Sequence, residues 1–297
     1  MKYNENEIQL SNFYNIKTIN VHSNKINSLI LLNDNRIASC SSDKTIRIFN
    51  PSNNYHCDET ITERIYSFDL IYQLEDGTLV SCTSEPSIHI GNFTIEKPHT
   101  ITISKVISLP NNRMASSSYD KTIKIWKSAP PYSDTPIKVF KDHSTIVISL
   151  LYIKERDIMI SGSPKEIILR NMSTYQVITV MKGVSACMSN AIFQIDKDRI
   201  IVGGIEEIQI VNIEKGIIEK EIKNLLFRYV CCYLKLRDNK TILIGCTQAS
   251  LCLYNIETNK YIFTTDMHEE AITGLIRIND DTIVSSSRDK TIKVWKY

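Results

Sequence analysis

Ser116-Ser117-Ser118-Tyr119-Asp120-Lys121-Thr122-Ile123-Lys124-Ile125-Trp126 returns near the end of the chain as Ser285-Ser286-Ser287-Arg288-Asp289-Lys290-Thr291-Ile292-Lys293-Val294-Trp295. Near the start it reads Ser39-Cys40-Ser41-Ser42-Asp43-Lys44-Thr45-Ile46-Arg47-Ile48-Phe49. A phrase of this length kept three times marks an internal repeat, and a repeat decides architecture before any weaker signal is weighed. Aligned on their last residue, fainter copies end at Gly91, Arg170, Val211 and Tyr254, so the end positions are spaced by 42, 35, 44, 41, 43 and 41 residues. Two apolar side chains at alternating positions precede each end, from Ile46 and Ile48 to Ile292 and Val294. Alternation at period two is the mark of a strand.

A second spacing runs in step with the first. His22, His99 and His268 each stand 21 residues before Asp43, Asp120 and Asp289, and His143 stands 21 before Pro164. Seven units of about forty residues, each with several short strands, have the period of a propeller blade. The expected fold is therefore all-β, a seven-bladed propeller with four-stranded blades.

With these residues in view, the chain resembles the WD-repeat β-propellers along essentially its whole length, most specifically in blades one, three and seven. The resemblance implies a hydrogen-bonded tetrad in each typical blade: a His before the first strand, a Ser on the second, an Asp in the following turn and a Trp on the third. The matching residues are His99, Ser116, Asp120 and Trp126, then His268, Ser285, Asp289 and Trp295. Blade one offers His22, Ser39 and Asp43, with Phe49 in place of the indole. The chain also departs from the family pattern. No Gly precedes the four histidines, and no Trp is followed by Asp. Blades two, five and six place Arg64, Val184 and Phe227 where His would stand, and Glu85, Ile205 and Gln248 where Asp would stand.

Closure can be read from the ends. Tyr297 lies two residues past the third-strand Trp295, so the last blade needs a fourth strand. Residues 13–21, Phe-Tyr-Asn-Ile-Lys-Thr-Ile-Asn-Val, read as that strand, leaving 1–12 as a short tail of one domain spanning 1–297. A closed ring has no long free edge to aggregate.

Composition narrows the function. Thirty-five basic and 33 acidic side chains give a formal charge of +2, too balanced for a nucleic-acid footprint. The N-terminus lacks an apolar signal core and no long apolar run is present, so a cytoplasmic or nuclear protein without a membrane span is expected. None of the eight cysteines forms a CxxC pair or a zinc spacing, so they read as reduced and structural, with no metal and no cofactor. Only nine glycines are present, so Asn pairs such as Asn33-Asp34 and Asn111-Asn112 are expected to take over turns. The three prolines of 130–136 predict a stiff exposed loop between the outer strands of blade three.

His, Ser and Asp in one unit invite a hydrolase reading, but an active site occurs once and a fold-defining contact occurs per repeat. A propeller enzyme is therefore the remote alternative. The expected role is a non-catalytic scaffold or adaptor, monomeric on its own, that binds a peptide or a loop of another protein. The resemblance places partner contacts on the top face, just before the turn Asp and at the start of the first strand. The former positions are Ser42, Ser84, Tyr119, Ser163, Gly204, Thr247 and Arg288; the latter are Asn27, Asp69, Ser104, Ile148, Ser189, Cys232 and Thr273. Tyr119 and Arg288 stand out, because Tyr and Arg dominate interface energetics; Asn27 and Asp69 join them as candidates. The alternative is a structural subunit of a larger complex that binds through blade flanks.

Overall fold

The computed structural model describes residues 13–223, 229–264 and 267–297. The expected tail 1–12 and Phe227 lie outside the described residues. Seven four-stranded antiparallel sheets form the blades of a propeller. Blade one runs Ile26–Leu31, Ile37–Ser41, Thr45–Asn50 and His56–Thr62. Blade three runs Ile103–Leu109, Arg113–Ser118, Ile123–Lys127 and Lys138–Phe140. First strands touch the first strands of neighbouring blades and so ring the axis.

The ring closes as expected. Tyr14–Ile19 pairs antiparallel with Ile292–Lys296, from Tyr14 opposite Lys296 to Ile19 opposite Ile292. Phe13 stacks on Tyr297 with centroids 5.2 Å apart. Blade seven is thus built from both chain ends.

The apolar interior consists of seven clusters, and each lies between two adjacent blades. The cluster between blades two and three, for instance, packs Val80, Ile88 and Ile90 against Val106, Met114 and Trp126. The alternating apolar positions of the repeat are what make this possible, because a strand sandwiched between two blades buries both faces. Cys40, Cys82 and Cys246 fill these wedges as small apolar groups, and all eight cysteines are free. Close approach fixes Gly274, where a Cβ would stand 2.6 Å from Leu29 Cβ across the junction of blades seven and one.

Turns follow the Asn-for-Gly exchange: Asn35, Asn54, Asn111, Asn112, Asn239 and Asn259 all have positive φ. In the first turn the left-handed position falls to Asn35, after the Asn33-Asp34 pair. The proline-bearing loop is less free than its composition suggests. Tyr132 folds back and stacks on Phe93 of blade two at 5.1 Å, joining that blade's apolar cluster. An aromatic ring this close to an apolar wedge gains more from burial than from exposure.

Candidate functional site

The tetrad residues meet in blades three and seven. His99 Nδ1 lies 2.9 Å from Asp120 Oδ2 and Nε2 lies 2.7 Å from Ser116 Oγ, while the Trp126 indole N–H donates to the same Oγ at 2.8 Å. In blade seven His268 lies 2.8 Å from Asp289 and 2.7 Å from Ser285, which accepts from Trp295 at 2.8 Å. Blade one brings His22, Asp43 and Ser39 together at 2.8 and 2.7 Å, with Phe49 buried in the indole's place. Burial pushes the His22 and His99 imidazoles below their usual range, so they sit neutral, Nδ1–H toward the carboxylate. Burial acts to raise Asp43 and Asp120, but bonds from Thr, His and a backbone N–H outweigh it and hold both carboxyls low. Ser39, Ser116 and Ser285 are fully buried. A hydroxyl enclosed between an imidazole and an indole has no path to a substrate carbonyl, so the triad-like geometry is not one for acyl transfer.

One more member belongs to the network. Thr45, Thr122 and Thr291 donate to the turn carboxylate at 2.6, 2.6 and 2.7 Å and sit 3.1–3.3 Å from the imidazole Nδ1. The repeated Asp-Lys-Thr of the opening phrase carried that signal.

Blade four corrects a sequence expectation. By the 21-residue spacing Pro164 stands where the turn Asp would be, yet the carboxylate comes from Glu166, which accepts from Ser144 N–H at 3.2 Å and lies 3.6 Å from His143 Nδ1. His143 to Ser161 spans 18 residues against 17 in blades one, three and seven. The turn after Ser161 is one residue shorter, with Ser163 N–H bonded to Glu166 O where Ser118 N–H bonds to Thr122 O. The two changes cancel in the count. Ser163, expected on the surface, is consequently buried. Arg170 fills the Trp place, its guanidinium 4.0 Å over Phe140 and paired with Asp142.

The four partner-binding candidates share one concavity. Asn27, Asp69, Tyr119 and Arg288 line a cavity of about 360 Å³ at the channel mouth. Tyr119 and Arg288 are exposed, and Asn27 and Asp69 are half-buried. In five blades the first-strand residue at this mouth sits in a β-bulge: Asn27, Asp69, Ser104, Cys231 and Thr273. A bulge adds an unpaired residue and turns its side chain out of the ladder. Asn27 donates its amide N–H groups to Ser42 Oγ at 3.0 Å and to Phe68 O of blade two at 2.8 Å, which couples the two blades. In blade six the mouth residue is Cys231 and not Cys232. Its first hairpin is one residue longer, Leu236 N–H reaching Thr241 O where Leu32 reaches Arg36 O.

The WD domain, G-beta repeat model matches residues 13–50, 93–127 and 259–296. Each match takes in the fourth strand preceding a typical blade and then that blade's first three strands. With the seven-bladed ring, these matches make the chain a WD-repeat β-propeller. The ribosome biogenesis protein WDR12 homolog of Nematostella vectensis is 24% identical over 165 residues, which is 52% of this chain and 39% of that protein. The chain thus spans about two fifths of the relative it matches. Propellers of this family are generally non-catalytic interaction scaffolds. Among the described residues no cluster of His, Cys, Asp and Glu could hold a metal, and no helix is long and apolar enough to cross a membrane.

Proposed function

We propose that the protein is a monomeric adaptor that grips a peptide or loop of a protein partner at the channel mouth. The observation that carries this reading is the convergence of Asn27, Asp69, Tyr119 and Arg288, from four blades, on one cavity. Tyr119 and Arg288 are the large exposed anchors over a floor of small side chains such as Ser104 and Thr273. A few such anchors carry most of the energy of an interface. Similarity to a ribosome biogenesis protein favours that process as the setting, and with it the nucleus over the cytoplasm.

A second reading, a structural subunit docked through its flanks, rests on the outer strands of blades four and five. Val177, Ile178 and Val180 of one and Ile217 and Ile218 of the other are exposed. Affinity purification with Tyr119→Ala/Arg288→Ala separates the two. The mouth reading requires loss of partners with stability within about 0.5 kcal/mol of wild type, as for most surface changes. Unchanged partners, with loss on Ile178→Lys/Ile217→Lys, would transfer the function to the flank.

A further inference from the structure

Lys105 points from the first strand of blade three into the channel, where a cavity of about 470 Å³ continues the mouth; Asn190 and Thr273 line both spaces. Its ammonium is bonded to Asn190 Oδ1, a neutral acceptor 85 residues away. The deeper cavity has a single carboxylate in its wall, Glu75, whose side chain is largely exposed and lies 3.7 Å from Lys154. At the mouth the carboxylate is Asp69, which has Lys25 as its opposing charge. The other titratable wall groups are phenols and thiols: Tyr72, Tyr152, Tyr233 and Cys232 below, Tyr119, Cys187 and Cys231 at the mouth. With Glu75 paired to Lys154 and Asp69 opposed by Lys25, Lys105 and Arg288 are left without a carboxylate of their own among the described residues. Burial, with no neighbouring anion to oppose it, pulls the Lys105 ammonium down to about 8.

A desolvated ammonium held only by an amide is a poor stability device, since an apolar side chain of the same volume would avoid the desolvation. It is instead what a site for an anion requires before the anion arrives. We infer that the channel is an anion seat: an acidic group of the peptide held at the mouth, a carboxylate or a phosphate, passes Arg288 and pairs with Lys105. This inference rests on the mouth reading for its ligand, and its test separates the two.

The protein labelled with [ε-¹³C]lysine is titrated with inorganic phosphate and with acetate. A saturable shift confined to the Lys105 signal is expected, with its titration midpoint moving up from about 8 as the bound anion favours the charged amine. Fluorescent hexapeptide pools with a fixed central Asp, phosphoserine, Asn or Ser are then measured against wild type and Lys105→Met. The Asp or the phosphoserine pool should bind roughly tenfold more tightly than its neutral counterpart, and whichever does so identifies the source of the anion. Lys105→Met should erase that preference, keep binding of the neutral pools, and melt no lower than wild type. Equal binding of acidic and neutral pools, or a Lys105 signal unmoved by either anion, overturns the seat and leaves the mouth reading standing. Binding that survives unchanged in Tyr119→Ala/Arg288→Ala, or no pool binding at all, overturns the mouth reading, while the Lys105 signal still decides the seat.

Discussion

Blade three holds its strands with His99, Ser116, Asp120 and Trp126, whereas blade five has Val184, Val202 and Val211 at the His, Ser and Trp places. Val211 pairs with Ile200, two residues before Val202, just as Trp126 pairs with Met114, two before Ser116. All three valines are fully buried and belong to one apolar cluster with blade four. The same position in the same fold is thus filled once by directional hydrogen bonds and once by packing alone. What differs is legibility. Hydrogen bonds demand particular residue types at particular spacings, while packing accepts any side chain of suitable volume. The family model accordingly matches at the tetrad blades one, three and seven and passes over blade five, although every blade has the same four strands.

The comparison can be broken or sharpened by experiment. The largest effect is expected where a tetrad blade is also the closure. Deleting residues 1–21 removes the strand paired to Ile292–Lys296 and the buried Ile19, and bares an edge. Against a total of roughly 5–15 kcal/mol for a domain, that loss should produce aggregation and protease cleavage near the C-terminus. A truncated protein that stays monomeric on size exclusion and melts like wild type would refute the role of the closing strand.

Next comes the indole against the valine. Trp126→Ala should destabilise by about 3–5 kcal/mol, through both the cavity and the loss of the indole N–H bond to Ser116, which keeps only His99. Val211→Ala, which loses two methyl groups, should give about 2 kcal/mol. Urea denaturation giving equal values would mean that the tetrad adds nothing to packing.

Third, His268→Ala or Asp289→Ala should each lower stability by about 1–3 kcal/mol, because each leaves buried polar partners unpaired. Acid probes the same groups without mutation. His22, His99 and His143 have folded pKa values below the unfolded value, so the unfolded chain takes up protons first and stability falls as pH drops below about 6.5. Asp43, Asp120 and Asp289 are also depressed, so their contribution, complete above about 4, is lost on further acidification through the folded values. Melting temperatures recorded from neutral to acid pH should fall in both windows, and less steeply in His99→Ala. A flat profile would contradict the neutral-imidazole network.

The smallest effect belongs to the improvised blade. His143 Nδ1 stands 3.6 Å from Glu166, beyond hydrogen-bond reach, against 2.8–2.9 Å to Asp in the tetrad blades. Glu166→Gln should therefore shift stability by less than about 1 kcal/mol, and Asp120→Asn by more. The reverse order in denaturant melts would show blade four to be as tightly wired as blade three.

The amino-acid sequence by itself determined the blade count, the tetrads of blades one, three and seven, and the closing strand. Each is a relation within one repeat or between adjoining repeats, so fixed residue spacing reports it directly. Glu166 escaped because a longer hairpin and a shorter turn offset each other within an unchanged spacing of 21 residues between His143 and Pro164. Cys231 escaped Cys232's place through one extra residue in a hairpin that leaves no mark on the apolar alternation. The docking of Tyr132 on blade two, the shared mouth of Asn27, Asp69, Tyr119 and Arg288, and the placement of Lys105 beside Asn190 were decided only by the tertiary structure. Those side chains come from segments tens of residues apart, and they meet because seven first strands converge on one axis. Convergence in space is set by how the blades pack around the ring, and no local pattern along the chain encodes it.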